Sequence, residues 1–249
     1  LGLPFDIHGG GMDLTFPHHE NEIAQSCGAH GEDKDPKIFV RYWIHNAMLN
    51  IDGEKMSKSL GNIFYIKDYL KNHDGEILRL ALLSRHYRQS INWSNETIEQ
   101  SKNILDKFYR ILNKFSDIDT NIELLKKCPE KVLNALCDDL NTSKALAELN
   151  EISKKLSSAI DLDDKVKYKT ELLAAAQVFG ILQKSPKKWL GIGQIQDNLD
   201  GDYIESLINQ RREARLLKDF SKADQIRNKL SDMGVEIEDT PDGTIWRMK

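Results

Sequence analysis

The chain has 249 residues, 40% of them hydrophobic and 30% charged, with a formal net charge of −4. That length allows two or three domains, and the charge argues against a bulk electrostatic grip on nucleic acid while leaving room for local basic faces. No stretch of about 20 apolar residues is present to cross a membrane, and the three cysteines, Cys27, Cys128 and Cys137, form no CxxC pattern, which argues against a disulfide framework and fits a reducing cytoplasm.

The chain opens at Leu1 inside the apolar run LGLPFDIH, as a piece of a longer protein would. FDIH reads as a strand and HGGGMD as the loop after it. A helix is predicted from Pro17, whose fixed φ suits a first helical turn. VRYWIHNAML is a second apolar segment, followed by the polar turn NIDGEKMSKSLGN, so residues 1–65 alternate as an α/β sheet fold does. From residue 66 the pattern turns helical. IKDYLKN and GEILRLALLSRH give short helices within a connecting region, 66–93. TIEQSKNILDKFYRILNKF places Ile98, Ile104, Leu105, Phe108, Ile111, Leu112 and Phe115 at helical spacing. Two further amphipathic runs, from Cys128 to Ile160 and from Lys167 to Gln183, complete an antiparallel bundle within a domain at 94–190. QKSPKKWLGIGQIQDNLDGD reads as a linker. Over 200–249 two helices precede a β-hairpin around a Pro-Asp-Gly turn, with Ser221 the expected cap of the second helix. The predicted architecture is α/β followed by mostly α, closed by a small α+β module.

Four constellations carry chemistry. In GEKMSKSLGN, Lys55 and Lys58 place two ammonium groups on a glycine-flanked loop, which suits a polyphosphate gathering charge in its transition state; a solvated basic loop would carry the same letters. In FDIHGGGMDL, Gly9 to Gly11 let backbone approach a ligand at the carboxyl edge of a parallel sheet, and Asp13 can accept from a ribose hydroxyl or an ammonium group. A tight turn explains the glycines equally well, and His8 reads also as a satisfied core histidine. In FPHHENE, His18 and Glu22 are i and i+4 and share a helix face able to hold one ion; His19 and Glu22 are the competing pair, and a polar helix start is the bland alternative. Near the end, Arg211, Arg212 and Arg215 make a basic helical cluster. Phe220 and Trp246 offer flat faces for unstacked bases, and Asp224 and Asp239 offer acceptors for base edges. Packing and capping account for these residues as well.

KMSKS resembles, letter for letter, the signature of class I aminoacyl-tRNA synthetases, whose second lysine, here Lys58, contacts ATP. DIHGGGMDLTFPHHENEIAQS followed by KMSKSLGN resembles the cysteinyl-tRNA synthetase family, and the resemblance runs through HYRQSINWS and DDLNTSKAL to DTPDGTIWR. It implies a Rossmann-like catalytic domain represented here by its later part over 1–65, a stem-contact region at 66–93 and an anticodon-binding domain at 200–249. It implies a cysteine, ATP (with Mg2+) and tRNA(Cys) ligase, monomeric and cytoplasmic. Gly10, Gly11, Asp13 and Lys58 would lie on ATP, with Lys55 and Lys58 the catalytic clamp. His18 and Glu22 would bind zinc together with two cysteines from sequence upstream of Leu1, where the family's HIGH motif also belongs; Cys27 matches no ligand position, and His8 would line the substrate pocket. Zinc has a physical reason in such an enzyme. Packing separates near-isosteres such as cysteine and serine poorly, often by only ~10²-fold, whereas a thiolate is a far better zinc ligand than a neutral hydroxyl. Two other readings share these motifs: a ligase joining cysteine to a small aminosugar, which the long C-terminal end argues against, and a non-catalytic tRNA-binding fragment.

Overall fold

The computed structural model describes residues 2–30, 39–56, 61, 63, 65–192, 201–240 and 243–248. Its elements fall into two compact units, Leu1–Leu105 with Ile118–Ile181, and Asp106–Asp117 with Leu182–Lys249.

In the first unit, β1 (Phe5–Gly11) pairs in parallel with β2 (Val40–Asn46), His8 opposite Trp43 and Gly10 opposite His45. The strand thus runs through the glycines expected to form a loop, because each finds a ladder partner in β2, and the chain turns only at Met12–Leu14. The helix predicted from Pro17 starts there, after the break at Phe16, as Pro17–His19 run directly into α1. Phe16 is extended (φ −136°, ψ 134°), a wide turn spans Thr15–His19, and α1 covers Glu20–His30.

Next, β3 (Leu49–Ile51) and β4 (Glu54–Lys55) form a hairpin over Asp52 and Gly53, both at positive φ (48° and 88°). An Asp-Gly pair is what such a two-residue turn demands. Asn92 braces it by accepting from the Gly53 N–H at 2.7 Å, and β5 (Ile91–Trp93) adds to β3 in parallel. Between them lie α2 (Ile66–Tyr69) and α3 (Gly75–Leu83), the latter capped by Asp74 accepting from Glu76 N at 3.0 Å.

The helical part is built from α4 (Asn95–Lys114), α5 (Ile122–Leu125), α6 (Glu130–Cys137), α7 (Thr142–Ser158) and α8 (Leu162–Phe179). Of the apolar positions picked from spacing on and just after α4, Ile98, Leu105, Phe108, Leu112 and Phe115 are buried, whereas Ile104 is 36% exposed. The amphipathic run from Cys128 is broken into α6 and α7 at Asp139 and Leu140, both left-handed (φ 54° and 53°), with Asn141 capping α7. That corner is tied to HYR: Tyr87 Oη donates to Asp139 Oδ1 at 2.6 Å, Arg88 Nε lies 2.8 Å from Oδ2, and His86 Nε2 lies 2.8 Å from the Asp139 carbonyl. The Tyr87 hydroxyl and Arg88 hold the Asp139 carboxyl below the usual carboxylate range.

In the second unit the expected linker is partly helix: α9 (Pro186–Leu190) starts from Ser185, which accepts from Lys188 N, and ends on a left-handed Gly191. α10 (Gly201–Leu216) and α11 (Phe220–Asp232) pack with the hairpin β6 (Val235–Thr240) and β7 (Gly243–Met248) around Ile204, Leu207, Ile208, Ile226, Leu230, Val235 and Trp246. The cap of α11 is Asp219, which accepts from Lys222 N at 3.1 Å, so the expected Ser221 lies inside the helix and Phe220 opens it. Residues Pro241 and Asp242 of the predicted turn lie outside the described residues. Among the described residues no helix is long and apolar enough to cross a membrane.

Candidate active site

Side chains two apart on a strand share a face. On one face of the β1–β2 pair this aligns His8 and Gly10 with Trp43 and His45. Trp43 and His45 stack at 5.7 Å and 6°. Gly10 leaves the room that His19 fills: a Cβ there would stand 2.8 Å from His19 Cε1. His19, 3% exposed, shares a proton with His45 across 2.9 Å between Nδ1 and Nε2 and packs edge-on to His8 at 4.8 Å. Burial, reinforced by His8 and His45, lowers its pKa from the ordinary imidazole value. Gly10, the first glycine of the expected ATP contact, therefore serves internal packing. Gly11 does the same for Asp13, whose Oδ1 would meet a Cβ there at 2.5 Å.

Glu22, one turn into α1, reaches back over this face. Its Oε2 lies 3.1 Å from His8 Nε2 and its Oε1 3.5 Å from His18 Nε2, the i,i+4 pair picked from spacing. Ligand atoms of His8, His19 and Glu22 lie within 4.8 Å of one another. Of the two adjacent histidines, His19 engages His45 through Nδ1 and joins His8 and Glu22 in this cluster, while His18 is 59% exposed beside the carboxylate. Glu22 Oε2 is buried and accepts no hydrogen bond. An anionic oxygen in that state, flanked by imidazole nitrogens, is a donor set that fits a divalent ion such as zinc.

Beside this face Lys55 Nζ lies 3.7 Å from Asp13 Oδ2, bringing the first KMSKS lysine to the end of the glycine strand. Lys58 lies outside the described residues.

At the other end of the chain Arg211, 8% exposed, holds Asp239 with both guanidinium arms, Nη1 to Oδ1 at 2.8 Å and Nη2 to Oδ2 at 2.9 Å. Arg215 Nη1 adds a bond to Oδ2 and Thr244 Oγ1 donates to Oδ1 at 2.7 Å. Arg211 above all, then Thr244 and Arg215, hold the Asp239 carboxyl far below the usual range. Trp246 is 5% exposed and donates its indole N–H to Glu205 Oε1 at 2.7 Å, so of the two candidate stacking faces only Phe220, 62% exposed, is open. Asp224 is exposed on α11. Sequence reasoning weighed His19 as the competing partner of Glu22 but missed His45 and Trp43 as partners of this site. HHE hinted at His19, but nothing local pointed to β2.

Residues 1–103 match the class I tRNA synthetase (C) catalytic domain, residues 131–183 the DALR domain, and residues 201–247 the cysteinyl-tRNA ligase anticodon-binding domain. Residues 1–103, which hold the parallel strand pair, the histidine-rich turn and the lysine hairpin, thus form part of a class I aminoacyl-tRNA synthetase catalytic domain. The chain is 44% identical over 100% of its length to a cysteine--tRNA ligase of Parvibaculum lavamentivorans and 47% identical over 99% to that of Xanthomonas campestris, covering 52% of each. Among solved structures it is similar to Mycobacterium tuberculosis methionyl-tRNA synthetase bound by methionyl-adenylate, with 19% identity, a TM-score of 0.46, and coverage of 78% of this chain and 45% of that one. The chain belongs to the cysteine--tRNA ligase family and spans about half the length of the curated relatives it matches, 52% of those just named.

Proposed function

We propose that this chain supplies the thiol-facing, ATP-facing and tRNA-facing parts of a cysteine--tRNA ligase. In the first step a cysteine carboxylate oxygen attacks the α-phosphorus of Mg2+-bound ATP, and pyrophosphate leaves. In the second, a hydroxyl of the terminal ribose of tRNA(Cys) attacks the acyl carbon and AMP leaves. Lys55 and Lys58 bring positive charge to the triphosphate as it sheds pyrophosphate, and Asp13 accepts from a ribose hydroxyl once Lys55 turns to phosphate. Gly10 and Gly11 set the places of His19 and Asp13. His19 and His45 keep the β1–β2 face rigid, so that His8 stands fixed beside Glu22. His18 and Glu22 would hold a zinc ion with donors from outside this chain. When bound, the ion gives the pocket a soft-tolerant centre that takes a thiolate and leaves a serine hydroxyl unbound. The C-terminal module, by its family match, supports a tRNA acceptor over an aminosugar.

The observation that carries this reading is the Glu22 carboxylate, held between two imidazoles with one oxygen buried and unbonded. Glu22→Gln in the full-length protein keeps the shape and removes the charge. It is expected to lose most of its zinc on dialysis, read by elemental analysis, and to lose preference for cysteine over serine in ATP–pyrophosphate exchange. Wild-type zinc content and selectivity in that variant would overturn the reading.

A further inference from the structure

Two short cationic segments are clamped together in the second unit. The last turns of α4 carry Lys107, Arg110 and Lys114, which at helical spacing fall on one side, and no acidic residue occurs from Lys107 to Ser116. The segment Gln183–Ile192 carries Lys184, Lys187 and Lys188, again without an acid. Trp189 joins the two. Its ring stacks on Tyr109 at 4.5 Å and 16°, and its indole N–H donates to Asp106 Oδ1 at 2.8 Å. Lys184 N also donates to Tyr109 Oη at 3.2 Å, and the Lys184 ammonium lies 5.7 Å from the Trp189 ring centre.

The arrangement has three consequences. Asp106, the acid next to the cations in sequence, accepts from the indole. Lys107, Arg110, Lys114, Lys187 and Lys188 stay exposed. Arg110 borders a cavity of about 370 Å³ whose lining includes Glu236 and Glu238, so its charge is partly offset; by sequence, no acid occurs within 107–116 or 183–192. A chain of net charge −4 thus joins two cationic segments through Trp189, an arrangement that suits a polyanion. Lysines act as point charges toward phosphate without reading sequence. None of the molecule's exposed large apolar side chains among the described residues falls in 106–117 or 182–192, so the band lacks the apolar wedge of a membrane-surface helix.

We propose that this band binds the RNA phosphate backbone, as a contact on the tRNA separate from the C-terminal module. The inference rests on the tRNA ligase reading. Its test is filter binding of a tRNA(Cys) transcript to this chain across a salt series. The triple variant Lys107→Gln, Lys187→Gln, Lys188→Gln is expected to lower the slope of log K against log salt by about 2 to 3 and to weaken binding about tenfold near 0.1 M salt. A control that removes exposed lysines elsewhere, Lys126→Gln with Lys154→Gln, is expected to keep the slope; circular dichroism melts check that all variants fold. An unchanged slope in the triple variant, or an equal loss in the control, overturns the band alone. If the unmodified chain binds no tRNA, the band and the ligase reading fall together, and lysine-dependent binding to phosphatidylserine vesicles in place of tRNA overturns the band in favour of a lipid partner.

Discussion

The β1–β2 face and the Arg211–Asp239 cluster are both dense in polar side chains, yet they differ in how completely those groups are satisfied. Around Asp239 every strong valence is spent internally: two arginines and a threonine converge on one carboxylate. Around Glu22 the imidazoles stand at 3.1 and 3.5 Å and one carboxylate oxygen is left without a hydrogen bond. Charge density alone does not mark a binding site. Unspent bonding capacity is the better guide, and by that criterion the histidine face is the one that fits a ligand, while the Asp239 cluster holds α10 to the hairpin.

The largest expected effect tests the packing of the histidine face. Gly10→Ala places a methyl 2.8 Å from His19 Cε1 and forces the ring off His45. It is expected to cost roughly 1–3 kcal/mol, as overpacking does, and to shift the histidine ring resonances in an NMR spectrum; a variant as stable as wild type with unmoved resonances would show that this face is loose. Next comes the saturated cluster. Asp239→Asn keeps the shape and removes the charge opposite Arg211, and is expected to destabilise by roughly 2 kcal/mol, less than breaking a fully buried pair costs because the Asp239 side chain is 40% exposed. The pH sign follows from the depressed carboxyl. Its folded pKa lies below the unfolded value of about 3.9, so its contribution is fully present above that pH and is lost as pH falls below it. Thermal melts from pH 7 downward are expected to show wild type and variant converging below about pH 4; a constant gap would assign the effect to packing. The smallest effect is a plain cap. Asp219→Ala is expected to cost about 1 kcal/mol, whereas Ser221→Ala is expected to change the melt little, since Asp219 alone accepts from Lys222 N.

How much of this was legible in the sequence depended on sequence separation. α4 came out of its apolar spacing because helical periodicity is local, and the β3–β4 turn out of Asp52-Gly53. β1 was cut short at its glycines because what keeps them extended is β2, some 35 residues on, and a single strand does not display its partner. His18 and Glu22 were readable as an i,i+4 pair. The His19–His45 bond, 26 residues apart, was not. At the start of α11 the chain offers two capping residues two positions apart, and only the backbone decides between Asp219 and Ser221.

The corner between α6 and α7 bears on the order in which the chain folds. Two consecutive residues sit in a backbone region costing about 1–2 kcal/mol each outside glycine, and the side chains that hold Asp139 there lie 51 to 53 residues earlier. Closing so long a loop comes before any reward for doing so. The corner is therefore expected to settle after the transition state, with Asp139→Ala quickening unfolding and leaving the refolding rate nearly as it was.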